Sequence, residues 1–143
     1  MRGRPILPLL MLAGVCAGGL LPACSQPDSQ EWFVRRDEAR DGVYIYSLPL
    51  ADTTAAYDFW FYSRVGSRPI ESLQLNVQWL APSGRAFSEV VYMRCVETGG
   101  SKEAYRSGMV PAEAGDWQLS VRPVGVDEDF LGLGVICKKN GTR

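Results

Sequence analysis

Between positions 73 and 79 the chain alternates strictly: Leu73, Leu75, Val77 and Trp79 are separated by Gln74, Asn76 and Gln78. That period of two predicts a strand with one buried and one solvated face. Ala81, Pro82, Ser83 and Gly84 then supply turn residues, and apolar character resumes through Val90, Val91, Tyr92 and Met93, so the pair reads as a β-hairpin. Further strands are predicted over residues 43–50, 57–64, 105–110, 116–122 and 130–138. In the fourth of these Trp117, Leu119 and Val121 alternate with polar residues, and in the last Leu131, Leu133, Val135 and Cys137 share a face. The trio Trp32, Phe33 and Val34 is the start of a short first strand within an otherwise polar stretch. Seven to eight short strands at turn-punctuated intervals, with no helical period, predict an all-β chain folded as a single antiparallel β-sandwich, immunoglobulin-like or jelly-roll-like.

The chain has 143 residues, enough for one domain, and 46% of them are apolar, enough for a core. Its 15 basic and 16 acidic side chains are spread along the sequence. Nucleic-acid binding requires a concentrated cationic surface that displaces counterions, so no nucleic-acid partner is expected. Histidine is absent, which removes the commonest general base and transition-metal ligand and excludes Ser-His-Asp, Cys-His and His-zinc chemistry. No GxSxG, phosphate-binding glycine loop or CxxC occurs. A non-enzymatic role is expected, with no cofactor or metal.

The amino terminus has a different character. Arg2 and Arg4 precede an apolar run from Ile6 to Leu21, and small Ala23 stands just before Cys24. That is the layout of an export signal; Pro8, Gly14, Gly18 and Gly19 interrupt the run, which is short for a membrane span of about 20 residues. Leu21, Ala23 and Cys24 resemble the bacterial lipoprotein signal, in which a thiol accepts a diacylglyceryl group and the peptidase cuts before it. The resemblance implies a signal peptide over 1–23, a lipidated Cys24 with a tether and first strand over 24–42, and a β-sandwich domain over 43–143. Two or three acyl chains anchor a protein stably without a spanning helix, so the expected location is the cell envelope, attached to the membrane through lipid (palmitate-type) chains on Cys24.

The mature part resembles one family. The run Ala51 to Asp58, the aromatic strand after it, Arg68-Pro69, the strand from Leu73 to Trp79, Pro82-Ser83-Gly84-Arg85, Glu113 to Leu119, and Gly132 to Val135 follow the order of the gliding-motility lipoprotein GldH family. The resemblance implies an envelope lipoprotein that assists secretion and gliding through contacts with other envelope proteins or lipoproteins, and it brings no catalytic residues.

Three groups remain as candidate sites. Cys95 and Cys137 both fall at inward positions of predicted strands, as a disulfide in an exported domain or as two separate buried thiols. If Tyr57, Phe59 and Phe61 face the core, Trp60 and Tyr62 join Tyr44 and Tyr46 in an exposed aromatic platform for a protein partner or, alternatively, a glycan; the alternative is that a second layer covers them. Asp127, Glu128 and Asp129 gather three carboxylates but lack calcium-loop spacing, and are expected to form a solvated turn.

Overall fold

A computed structural model describes residues 28–142. Eight strands account for most of them: β1 (Ser29–Arg35), β2 (Tyr44–Leu50), β3 (Ala55–Val65), β4 (Ile70–Leu80), β5 (Ala86–Val96), β6 (Ser101–Met109), β7 (Gly115–Val124) and β8 (Phe130–Thr142), with one 3-10 turn at Arg36–Glu38. They form two four-stranded antiparallel sheets, ordered β1-β8-β3-β6 and β2-β7-β4-β5. The sandwich expected from the alternation is therefore present.

The pairing is nested: β4 with β5, β3 with β6, β2 with β7 and β1 with β8. Only β4 and β5 are both consecutive and paired. An immunoglobulin-type sandwich joins several successive strands as hairpins, whereas a chain doubled back on itself and wrapped into two sheets is a jelly roll. Of the two architectures expected, this is the second. The central hairpin closes as the turn residues predict. Gly84 adopts φ +98, a left-handed conformation open to glycine, and donates its N–H to the Ala81 carbonyl at 2.9 Å.

Alternation in each strand sends one side-chain set into the layer between the sheets. Tyr44, Tyr46, Leu48 and Leu50 of β2 meet Leu133, Val135 and Phe130 of β8, while Phe59 and Phe61 face Leu75, Val77 and Trp79. Each such side chain contributes about 1.5–3 kcal/mol through burial. The Tyr46 hydroxyl donates to the Leu133 carbonyl, so a hydrogen bond crosses from one sheet to the other inside the apolar layer.

Within the segment read as tether and first strand, Ser29 to Arg35 pairs in register with Lys138 to Gly132, so the first strand runs beyond Trp32-Phe33-Val34 on both sides and joins the sandwich about fourteen residues before position 43. Gln30, Trp32 and Val34 face inward, and Phe33 lies on the outer face over two glycines of β8. A Cβ at Gly132 would stand 2.4 Å from Phe33 Cζ and 2.8 Å from the Val34 carbonyl, and one at Gly134 would meet the Trp32 carbonyl at 2.9 Å. Glycine here is what lets β1 dock.

Gly132→Ala is therefore expected to destabilise the fold by about 1–3 kcal/mol, the usual cost of overpacking. A lowered urea midpoint checks this, and an unchanged midpoint contradicts the docking geometry. Three carboxylates staple the connections. Asp52 accepts from Thr54 and Lys139, Asp58 from the Gly108 N–H, Asn140 and Ser107, and Asp129 from the Ser67 and Arg68 N–H groups. All three are held below the ordinary carboxylate value, Asp52 at about 2 through its Thr54 hydrogen bonds first. Because these folded-state values are depressed, the stabilisation is complete above the unfolded value of 3.8 and is lost as pH falls toward 2. Urea midpoints measured between pH 5 and 2 are expected to fall across that window and to stay level from pH 5 to 7 as far as these groups are concerned.

Candidate functional site

The expected aromatic platform is divided between two places. Tyr44 and Tyr46 are each only 2% exposed and belong to the core, on the inner face of the second sheet. Burial pushes both hydroxyls to higher pKa, and the Tyr46 hydroxyl spends its proton on Leu133. Trp60 and Tyr62 stand half-buried on the outer face of the other sheet. There Tyr62 meets Phe33 edge-on at 6.1 Å and Lys102 Nζ lies 5.0 Å from the Trp60 ring. The four residues share no surface. Period two separates inward from outward positions within a strand but does not say which sheet the strand joins.

The two cysteines are free. Cys137 is buried at the inward position expected, and burial, with the Asp58 carboxylate second, pushes its thiol up to about 12. Cys95 is exposed. Its φ of +53 is a left-handed conformation uncommon for a residue with a side chain, and it reverses the alternation of β5: Met93 faces inward, but Val96, not Cys95, takes the next core position. No disulfide joins the pair. Cys24 lies outside the described residues. Asp127 and Asp129 form the turn expected of them, bound to Arg68 and to backbone N–H groups, and among the described residues no group of three His, Cys, Asp or Glu could hold a metal ion.

The margin formed by β5 and β6, which pattern reading did not single out, carries the most developed surface of the molecule. These are edge strands of the two sheets, facing each other. Between them opens a pocket of about 280 Å³, floored by the outermost residues of the core. Its aromatic walls are Tyr57 and Phe59 of β3, Trp79 of β4, Phe87 of β5 and Trp117 of β7, and the connection Val110 to Ala112 borders it. Phe59 meets Trp79 edge-on at 5.3 Å, and Trp79 meets Trp117 edge-on at 6.2 Å. Both indole N–H groups are satisfied, Trp79 donating to the Tyr105 hydroxyl at 2.8 Å and Trp117 to the Glu113 carbonyl at 3.0 Å.

Two charges sit at the margin. Glu89 occupies an inward register position on β5, opposite Val77, and pairs with Arg106 of β6. Register shifts in the β3·β6 pairing beside Phe59 explain how Arg106 reaches it, because an irregularity of this kind re-aims side chains. Tyr105 packs on the core while the adjacent Arg106 turns to the pocket. The Tyr57 hydroxyl is buried and has no hydrogen-bond partner among the described residues. Val90 (52% exposed) and Tyr92 (57%) lie on the outer face of β5, and Phe87 (48%), opposite Trp79 at inward parity, is exposed at the pocket's rim. A charged residue at inward parity within an otherwise apolar strand, as Glu89 is, was the signal available in the sequence.

A second hollow, at the far end of the sandwich, is lined by Arg35, Arg36, Arg64 and Arg122. Three of these are engaged: Arg35 with Asp37, Arg64 with the Gly99 carbonyl and Arg122 with the Asp41 carbonyl. It is a stapled loop cluster more than an open cationic site.

Comparison of the chain with protein-family models, with curated proteins and with solved structures returned no match.

Alkylation of the native protein without reductant is expected to label Cys95 and to spare Cys137, which labels only after unfolding. Peptide mapping by mass spectrometry distinguishes the sites. Two thiols that stay unlabelled in denaturant until reductant is added would restore the disulfide.

Proposed function

We propose that this chain is a non-enzymatic, lipid-anchored cell-envelope protein that works by binding other envelope proteins, and that the β5 edge is its contact surface. The observation that carries the reading is the exposure of Phe87, Val90 and Tyr92 along an unpaired edge strand. Edge strands with bare apolar side chains are ready templates for association, and exposed aromatic anchors mark interfaces. The lipid anchor rests on Leu21, Ala23 and Cys24, and the place among secretion and gliding accessory lipoproteins rests on the motif order that resembles the GldH family. The two parts fit together: β1 begins at Ser29, so four residues separate it from Cys24, and the five Cα–Cα steps span up to about 17 Å, which would hold the domain close to its membrane.

A second reading, a surface glycan-binding module, draws on a different observation. The outer face of the second sheet beside β5 is a hollow lined by Asn76, Gln78, Ser88 and Ser120. Amides and hydroxyls on a sheet face, next to the exposed Tyr92 ring, are the groups that hydrogen-bond and stack on sugars.

A photo-crosslinking residue placed at Tyr92 in the envelope of the producing cell is expected to yield a discrete protein adduct, while the same residue at Glu31, on the opposite margin, yields none. Absence of a protein adduct from Tyr92, with Gln78→Ala abolishing retention on cell-surface polysaccharide, would replace the first reading by the second. Palmitate labelling is expected in the wild type and absent in Cys24→Ser, and equal labelling of both would remove the anchor.

A further inference from the structure

We infer, on the reading of Cys24 as a lipid anchor, that one end of the sandwich is seated on the bilayer: the end carrying the connections 51–54, 81–85 and 110–114, with Val110, Ala112 and Phe87 against phospholipid. The chain enters the domain at this end. Lys139 donates its N–H to the Asp28 carbonyl at 2.7 Å, and Lys138 stands opposite Ser29, where β8 nears its finish and β3 its start. Four Cα–Cα steps join Cys24 to Asp28, a reach of up to about 14 Å. The eleven-residue strands β3, β4 and β5 are about 35 Å long. So short a link cannot run the length of the sandwich, and the opposite end cannot be the one turned to the membrane.

The two ends differ in charge. At the far end, ten of the 21 residues in connections 36–43, 66–69, 97–100 and 125–129 are Asp, Glu, Lys or Arg, whereas at the near end three of the 14 are. Those three are Asp52, paired with Lys139; Glu113, which accepts from the Ser83 N–H and hydroxyl; and Arg85, whose guanidinium lies 5.5 Å from the Phe87 ring centroid. Asp116 and Lys138, beside them on the strands, alternate with buried Trp117 and Cys137 and so project off the outer faces of the sheets. Charges brought against a bilayer must shed hydration, so the near end meets it at the lower cost.

Exposed apolar side chains supply the contact. Val110 is 54% exposed and Phe87 48%, with Ala112 exposed nearby, and the Arg85 stem covers the Phe87 ring while its head stays at the level of the phosphates. The far end exposes Leu131 as well, but among Arg35, Arg36 and Arg122. β1 and β6 are opposite edges of one sheet, three strand spacings or about 14 Å apart. An anchor at one corner and an apolar contact at the other hold the strands upright on the membrane. A tether this short raises the local concentration of the end to about millimolar, so a few side chains suffice where an untethered domain would not stay bound. The outer face of β5, with Val90 and Tyr92, then stands beside the membrane, open to a protein partner.

A photo-crosslinking residue placed at Ala112 or at Leu131 of the full acylated chain, reconstituted into phosphatidylcholine vesicles, tests the inference. Phospholipid adducts are expected from Ala112 and none above background from Leu131, and Val110→Asp is expected to cut the Ala112 yield at least about fivefold, because the added carboxylate must keep its hydration. Equal lipid adducts from the two positions would overturn the seat. So would Ala112 adducts confined to the protein's own acyl chains or, in the native envelope, to a protein, or an Ala112 yield untouched by Val110→Asp. Failure of the anchor itself reads out separately, as a chain that does not sediment with the vesicles. Coupling the Cys24 thiol of a Cys16→Ser, Cys95→Ser chain to maleimide phospholipid then supplies the tether, and the same two probes decide the seat.

Discussion

The nested pairing of strands is the constraint on which the rest of the molecule depends. Once β4 and β5 close as a hairpin, each outer pair is laid down around it, and the chain has no freedom left in deciding which strands become edges. One margin is formed by β1 and β2, of seven residues each, and the other by β5 and β6, of eleven and nine. The short margin is dressed by the 3-10 turn at Arg36–Glu38 and the bridge between Arg40 and Val43. Among the described residues the long margin has no such covering element.

Glu89 and Arg106 acquire their meaning from that geometry. With side chains 27% and 44% exposed, the pair is solvated enough that its direct worth is about 0.2–1 kcal/mol. Its larger effect is on specificity. An inward-pointing charge on an edge strand discourages indiscriminate strand addition, so the margin keeps an apolar pocket and the exposed Phe87, Val90 and Tyr92 without becoming a generic aggregation site. Exposed apolar surface and its protection occupy the same two strands.

Much of this was legible in the chain. Alternation located β4, β7 and β8, because a sheet with one buried face writes period two into its sequence, and apolar or aromatic runs between turn residues located the other strands and the central hairpin. It could not assign strands to sheets, which is why Tyr44 and Tyr46 were grouped with Trp60 and Tyr62. A tyrosine has a polar tip that invites an exposed reading, and only the Leu133 carbonyl, 87 residues away, shows how the tip is satisfied inside. Cys95 was misplaced for a local reason, a single left-handed residue that shifts the parity of β5. The extent of β1 was hidden because its docking depends on Gly132 and Gly134, whose contribution is a missing side chain. The pocket was hard to see for a related reason: its lining comes from six strands, and apart from Glu89 and Arg106 its strand residues read as ordinary apolar positions, each in its own strand.

The β-sandwich is therefore a scaffold whose distinctive chemistry lies along one margin, and the central claim is that this margin is where the protein meets its partners. Hydrogen–deuterium exchange of the protein in its native envelope, compared with the same protein purified, tests that claim most directly. Slowed exchange confined to Ala86–Val96, Ser101–Met109 and the connection that follows is the predicted result. Protection confined instead to β1 and the outer face of its sheet, with β5 and β6 exchanging as in the purified protein, would contradict it.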